Sequence, residues 1–190
     1  MDVIQLKALV GSNRPYRGFS LIELLTTLTV MGIAISLALP SFSKFIQHNR
    51  LVTSINTMVS SLNYARSEAI KLNQTIVICK GTAATGCDNT RAWRDGWIVF
   101  SDKNHDRLWS DDEVLLWTQE ALSPGIALSW NAFPSANYTI FYPNGTSSSN
   151  GTFIVCDSRT DLAAKALILA KTGRIRNSDK SANGTVLQCS

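Results

Sequence analysis

The chain has 190 residues, 45% of them apolar and 17% charged, with a formal net charge of +4. That length and composition support one folded domain with a modest appendage and exclude a disordered chain. The small positive surplus does not announce a nucleic-acid binder, and two histidines without paired metal-ligand spacing argue against a histidine-based metalloenzyme.

The first element is an apolar run. Phe19–Leu39 reads FSLIELLTTLTVMGIAISLAL and carries a single charge, Glu23. As a helix it is ~31 Å long, which matches a bilayer core. Lys7, Arg14 and Arg17 precede it against one acid, Asp2, a balance that predicts a cytoplasmic N-terminus. A signal anchor and a cleaved secretory signal share this pattern. Ser36-Leu37-Ala38 offers a faint signal-peptidase site, but Pro40 and a long amphipathic stretch follow it. A carboxylate inside such a span is costly and marks Glu23 as a functional candidate. Snorkelling to the membrane interface is the plain alternative for it.

Gly18-Phe19-Ser20-Leu21-Ile22-Glu23 resembles the processing site of type IV pilins and of the pseudopilins of type II secretion. The resemblance implies cleavage by a prepilin peptidase between Gly18 and Phe19, N-methylation of Phe19, and a role for Glu23 in assembly. In that role the carboxylate meets the N-terminal amine of a neighbouring subunit, a charge pair that would favour one register of insertion. Pro40 falls where the family has a helix-kinking proline.

Beyond Pro40, Leu51, Ile55, Met58, Leu62, Ala65, Ala69 and Leu72 recur at alternating spacings of four and three and form one apolar stripe. Arg50, Ser54, Ser61, Ser67 and Lys71 fall off it. A coiled coil is the alternative, but the alanines and short length favour packing onto a sheet of the same chain. These features predict one long helix from about Phe19 to Asn73, bent near Pro40. Tyr64–Ala69 resembles the helix end of the GspH/FimT branch of pseudopilins.

After Asn73 the pattern changes to short runs separated by Gly, Pro, Asn, Asp and Ser clusters. Strands are expected at Thr75–Cys79, Trp97–Phe100, Val114–Gln119, Ile126–Trp130, Tyr138–Tyr142, Thr152–Cys156, Ala166–Ala170 and Thr185–Cys189. One helix followed by such runs predicts an α+β, pilin-like fold, the helix packed on an antiparallel β-rich head. The segment from Trp93 to Phe100, followed by Asp102, also resembles GspH/FimT sequences; Trp93 and Trp97 are expected in the core.

The four cysteines, Cys79, Cys87, Cys156 and Cys189, form no CxxC pair, which argues against a zinc site. Three disulfide pairings are open. Cys79–Cys87, closing a small loop, and Cys156–Cys189, pinning the C-terminus, are the favoured set, in keeping with an oxidising periplasm.

Two charged features remain. Between Cys156 and Ser190 six cations face three acids. Within this tract Gly173-Arg174-Ile175-Arg176, if extended, projects both guanidiniums to one side, with Lys171 nearby to engage successive phosphates. The segment resembles the glycine-arginine-any-arginine signature of FimT minor pilins, which bind DNA in natural transformation. The resemblance implies non-specific double-stranded DNA contact through Arg174 and Arg176. A solvated hairpin tip is the plain alternative.

The second feature is acidic. Asp102, Asn104, Asp106 and Glu113 occupy positions 1, 3, 5 and 12 of a calcium-loop spacing. Arg107 stands where such a loop has glycine, its charge opposes a cation, and the preceding segment reads as a strand, so a solvated loop is the expectation.

No catalytic, metal or cofactor set is assigned. His48 and His105 stand without a nucleophile elbow or phosphate loop. The domain plan is a leader at 1–18, a membrane-spanning or filament-core helix at 19–39, an amphipathic continuation at 40–73 and a periplasmic head at 74–190. Expected partners are other pilin or pseudopilin subunits, the prepilin peptidase, the inner membrane and DNA. A structural pseudopilin of type II secretion and a membrane-anchored periplasmic domain unrelated to filaments are the competing readings.

Overall fold

The computed structural model describes residues 18–157 and 164–189, without the side chains of 40 and 41. The rest of the expected leader before Gly18 lies outside those residues, as do Arg159 and Asp161 of the basic tract. Packing divides the chain into two units, Met1–Ser43 and Lys44–Ser190.

Helix α1 spans Leu21–Leu72 and continues past Pro40. Ser20 caps its start: the Ser20 hydroxyl oxygen accepts the Glu23 amide at 3.2 Å, the bond that an S-x-x-E sequence encodes. Asn73 ends it in the left-handed region at φ 52°, and the Gln74 amide returns to the Ala69 carbonyl at 3.3 Å. This is the Schellman arrangement that closes off a helix.

In the N-terminal unit the helix is apolar and long enough to cross a membrane, and none of that stretch is buried within the chain. Four of its hydroxyls are internally satisfied. Thr26 donates to the Glu23 carbonyl at 3.0 Å, Thr27 to Leu24 at 2.9 Å, Thr29 to Thr26 at 2.8 Å and Ser36 to Ile33 at 2.8 Å. Such bonds remove the penalty of placing a hydroxyl in hydrocarbon.

The second unit holds the core. Leu51, Ile55, Met58, Leu62, Ala65 and Ala69 are buried, as their spacing predicts. Three positions differ from the expected stripe. Leu72 is 40% exposed, because the helix is ending there. Ser54 and Ser61 are buried, since their small side chains donate to the i−4 carbonyls of Arg50 and Thr57 at 2.9 and 3.0 Å and leave no polar group unpaired.

Two antiparallel sheets face this stripe. In the first, β1 (Ile76–Thr82) pairs with β3 (Trp97–Ser101) on one side and β6 (Tyr138–Phe141) on the other. The two-residue β2 (Gly86–Cys87) extends the end of β1, and β4 (Leu115–Gln119) pairs with β3. The second sheet has the order β5 (Ile126–Phe133), β7 (Asn150–Asp157), β8 (Lys165–Leu169), β9 (Ile175–Ser178).

Alternation within the strands divides the apolar residues. Ile76, Ile78, Trp97 and Val99 join the helix stripe, together with Trp130, Phe153, Val155, Leu167 and Leu169 of the second sheet. Val77, Cys79, Ile98, Phe100 and Ile140 form a second cluster on the far face of the first sheet, covered by Trp109 and Tyr138. Trp93, in a single 3₁₀ turn at Trp93–Asp95, stands edge-on to Phe153 at 5.2 Å and donates its indole N–H to the Ala136 carbonyl at 2.9 Å.

The strand expected at Thr185–Cys189 does not form. Val186 makes only an isolated bridge to Lys180 and is 83% exposed. The last strand of the second sheet is instead β9, which the apolar runs of the sequence do not mark. Both disulfides, Cys79–Cys87 and Cys156–Cys189, are present, with Cα–Cα separations of 5.5 and 6.0 Å. Cys189 is therefore held to β7 by the bond alone and not by strand pairing.

Candidate processing site and basic hairpin

The N-terminal site is a short exposed approach to a capped helix. Gly18 has open space around it, with nothing within 4 Å of where a side chain would stand. Phe19 is 81% exposed. A peptidase therefore meets no packed structure at the Gly18–Phe19 bond on the described side. Glu23 sits in the first helical turn, where the unpaired amides of a helix start favour negative charge. Its carboxylate has no hydrogen-bond or ion-pair partner among the described residues, so the charge is left available to a group from outside the chain.

The basic residues sit on a hairpin between β8 and β9. The turn runs Ala170-Lys171-Thr172-Gly173 and is closed by the Gly173 amide on the Ala170 carbonyl at 2.8 Å. Gly173 has φ +75°, a conformation that a side chain disfavours. The strand that follows alternates faces. Ile175 packs against the main core, while Arg174 and Arg176 are exposed on either side of it in sequence. Arg176 lies in β9 and Arg174 immediately before it, the two-residue separation that on extended backbone puts side chains on one side.

Their charges are free. Arg174, Arg176 and Lys171 make no ion pair or side-chain hydrogen bond among the described residues. Lys165, by contrast, is neutralised by Asp179. Arg176 lines an open groove of about 580 Å³ on the outer face of the second sheet, with Asn131, Thr152 and the Ser181–Thr185 segment around it. The Cys156–Cys189 bond anchors the end of that segment to the same sheet.

A further residue, missed in the sequence, positions this hairpin. Arg66 of α1 donates from Nε to the Gly145 carbonyl at 2.9 Å and from Nη2 to the Thr172 carbonyl at 3.4 Å. The Ser147 amide bonds the Lys171 carbonyl at 2.8 Å. Gly173 is buried in this junction: a methyl group there would stand 2.1 Å from the Gly145 carbonyl oxygen and 2.8 Å from Arg66 Nε. The arginine-bearing turn is thus clamped from the helix and from the loop after β6. Arg66 lies in the Tyr64–Ala69 segment, but its partners are 79 and 106 residues away, a distance no local pattern reports.

Comparison with known proteins agrees with this architecture. The family model described as type II transport protein GspH matches residues 54–173, well over half the chain. A prokaryotic N-terminal methylation motif matches residues 13–39, which include Gly18, Phe19 and Glu23. Arg174 and Arg176 fall just past the end of the GspH match. No curated protein matches in sequence. Among solved structures, a crystal structure of the type IV minor pilin FimU of Pseudomonas aeruginosa PAO1 superposes with a TM-score of 0.56 at 19% identity, covering 74% of this chain and 98% of that one. A second crystal form of FimU gives 0.49 at 20% identity, covering 70% and 96%. The long helix, the helix-on-two-sheets head and the two family matches have one meaning: the chain belongs to the GspH/FimT family of minor pilins and pseudopilins, whose members assemble with other pilin subunits and are processed by the prepilin peptidase.

Proposed function

We propose that the chain is a minor pilin of a type IV pilus-like filament and binds double-stranded DNA without sequence preference for natural transformation. In this reading the peptidase cuts between Gly18 and Phe19, and Phe19 is N-methylated. Residues 19–39 hold the protein in the inner membrane, N-terminus cytoplasmic and head periplasmic, until Glu23 draws it into the filament. A bend at Pro40 separates the filament core from the head.

One observation carries the DNA reading: Arg174 and Arg176 are exposed and make no ion pair among the described residues, and the residue between them, Ile175, opens β9 and packs against the core. Guanidinium forks so placed match phosphate oxygens. No aromatic side chain accompanies them on the hairpin, which favours backbone contact over base stacking.

The second reading is a structural pseudopilin of type II secretion. The description of the matching family model favours it, whereas FimU is a type IV minor pilin. Binding of duplex DNA by the detergent-solubilised full chain, titrated against salt, separates the two. Arg174→Ala/Arg176→Ala is expected to lower the slope of log K against log[salt] by about 1.8, two phosphate contacts at about 0.9 each. Absence of binding at low salt, or an unchanged slope in the variant, would remove DNA and leave the structural reading.

A further inference from the structure

The acidic loop between β3 and β4 behaves differently from a solvated connection. Asp102 is 1% exposed, yet it is a carboxylate at the end of a strand. One of its oxygens, Oδ2, accepts the Arg107 amide at 3.2 Å, which turns the carboxyl group into the loop. The other, Oδ1, is buried with no partner. A buried carboxylate oxygen with no protein donor is costly, and a bound cation would relieve that cost.

The rest of the loop supplies oxygen at the right intervals. Asn104, Asp106 and Glu113 follow Asp102 at positions 3, 5 and 12, and position 7 offers the Leu108 carbonyl. Glu113 is buried as well, its two oxygens accepting the amides of Lys103 at 2.9 Å and Ser110 at 3.3 Å, so its carboxylate also faces inward.

Both sequence objections concerning Arg107 dissolve in the structure. Arg107 has φ +67°, the left-handed conformation that glycine supplies at position 6 of such loops. Its guanidinium leaves the loop, donating to the Tyr138 hydroxyl at 2.8 Å and lying 5.6 Å from that ring's centre. The positive charge is thereby spent on the cover of the second core cluster.

We propose that Asp102–Glu113 is a calcium site, with side-chain ligands from Asp102, Asn104, Asp106 and Glu113. Among the described residues no three carboxylates already converge on one point. Asp106 is held aside by the Leu108 amide at 2.7 Å and by Asn104 at 2.8 Å. Both Asn104 and Asp106 are exposed, and ion entry would turn them inward, ordering the loop. A flexible loop of oxygen donors suits calcium over magnesium, which demands a rigid octahedron.

Terbium luminescence of the full chain in detergent tests this, because Trp109 lies within the loop as a sensitiser. The expected result is one site, from which calcium displaces terbium with a Kd on the order of 10⁻⁴–10⁻³ M and magnesium does not. Glu113→Gln and Asp102→Asn should weaken calcium more than about tenfold. Asn104→Ala and Asp106→Ala, which alter exposed side chains and leave the fold intact by tryptophan fluorescence, should do likewise. Asp111→Asn/Asp112→Asn, outside the ligand positions, should not. No calcium-sensitive signal, equal competition by magnesium, or wild-type affinity in Asn104→Ala and Asp106→Ala would each overturn the proposal, as would an equal loss in Asp111→Asn/Asp112→Asn.

Discussion

Replacing Gly173 by alanine tests whether the hairpin is held where the structure places it. The new methyl group faces two costs. The first is conformational: φ +75° is left-handed, which costs an L-residue about 1–2 kcal/mol. The second is steric. At 2.1 Å from the Gly145 carbonyl oxygen the methyl must move by about an ångström to reach ordinary contact, and Arg66 Nε stands 2.8 Å away on the same side. Relief requires the hairpin to retreat from Gly145 and Arg66, which loses the charged hydrogen bond from Arg66 Nη2 to the Thr172 carbonyl, worth about 1.5–3 kcal/mol. The sum is about 2.5–5 kcal/mol. Gly184→Ala is the matched control. It sits at φ +79° with nothing within 4 Å, so only the conformational cost applies. Urea unfolding of the full chain followed by tryptophan fluorescence reads the head alone, since all five tryptophans lie there. A midpoint loss for Gly173→Ala about two to three times that for Gly184→Ala, with unchanged m, is expected. Equal losses would refute the clamp.

The two disulfides differ in worth. Chain entropy gives about 4 kcal/mol for the loop between Cys156 and Cys189 and about 2.5 kcal/mol for that between Cys79 and Cys87, so Cys156→Ser/Cys189→Ser should lower the urea midpoint further than Cys79→Ser/Cys87→Ser. Glu23→Val should insert into the inner membrane normally but enter filaments poorly, scored by the sheared filament fraction; normal incorporation would count against the carboxylate's role. Asp88 accepts the Thr90 hydroxyl at 2.6 Å and the Thr90 amide at 2.8 Å, and these bonds hold its carboxyl below the ordinary 3.8. A depressed carboxylate contributes stability above its unfolded value and loses it as pH falls through the folded one. Asp88→Ala should therefore match the parent protein more closely at pH ~3 than at pH ~6 in urea titrations.

What could be read from the sequence was what repeats locally. The stripe from Leu51 to Ala69 has helical period and is the core face, and the buried strands β1, β3, β7 and β8 show as apolar runs. β9 escaped because it is an edge strand with one core residue, Ile175, among Arg, Asn and Ser. Thr185–Cys189 misleads for the opposite reason: its residues are strand-like, but it pairs only through the single bridge of Val186 to Lys180, and its end is fixed covalently instead. The Arg66 clamp and the free oxygen of Asp102 depend on groups brought together by folding, which spacing along the chain does not encode.

That distinction separates charge from position on the basic face. Arg174 and Arg176 make no side-chain bonds within the described head, and the strand is held by Ile175, so replacing both arginines removes charge and leaves the fold. Gly173→Ala does the reverse: it keeps every cation and displaces the turn that carries them. If phosphate contact needs only local charge, Gly173→Ala binds DNA as the parent does. If it needs the two guanidiniums at a fixed strand spacing, affinity falls with no charge lost, because misplaced forks no longer meet successive phosphates together. The proposed interface requires the second result, since two arginines and a lysine supply few phosphate contacts and each one lost weakens binding.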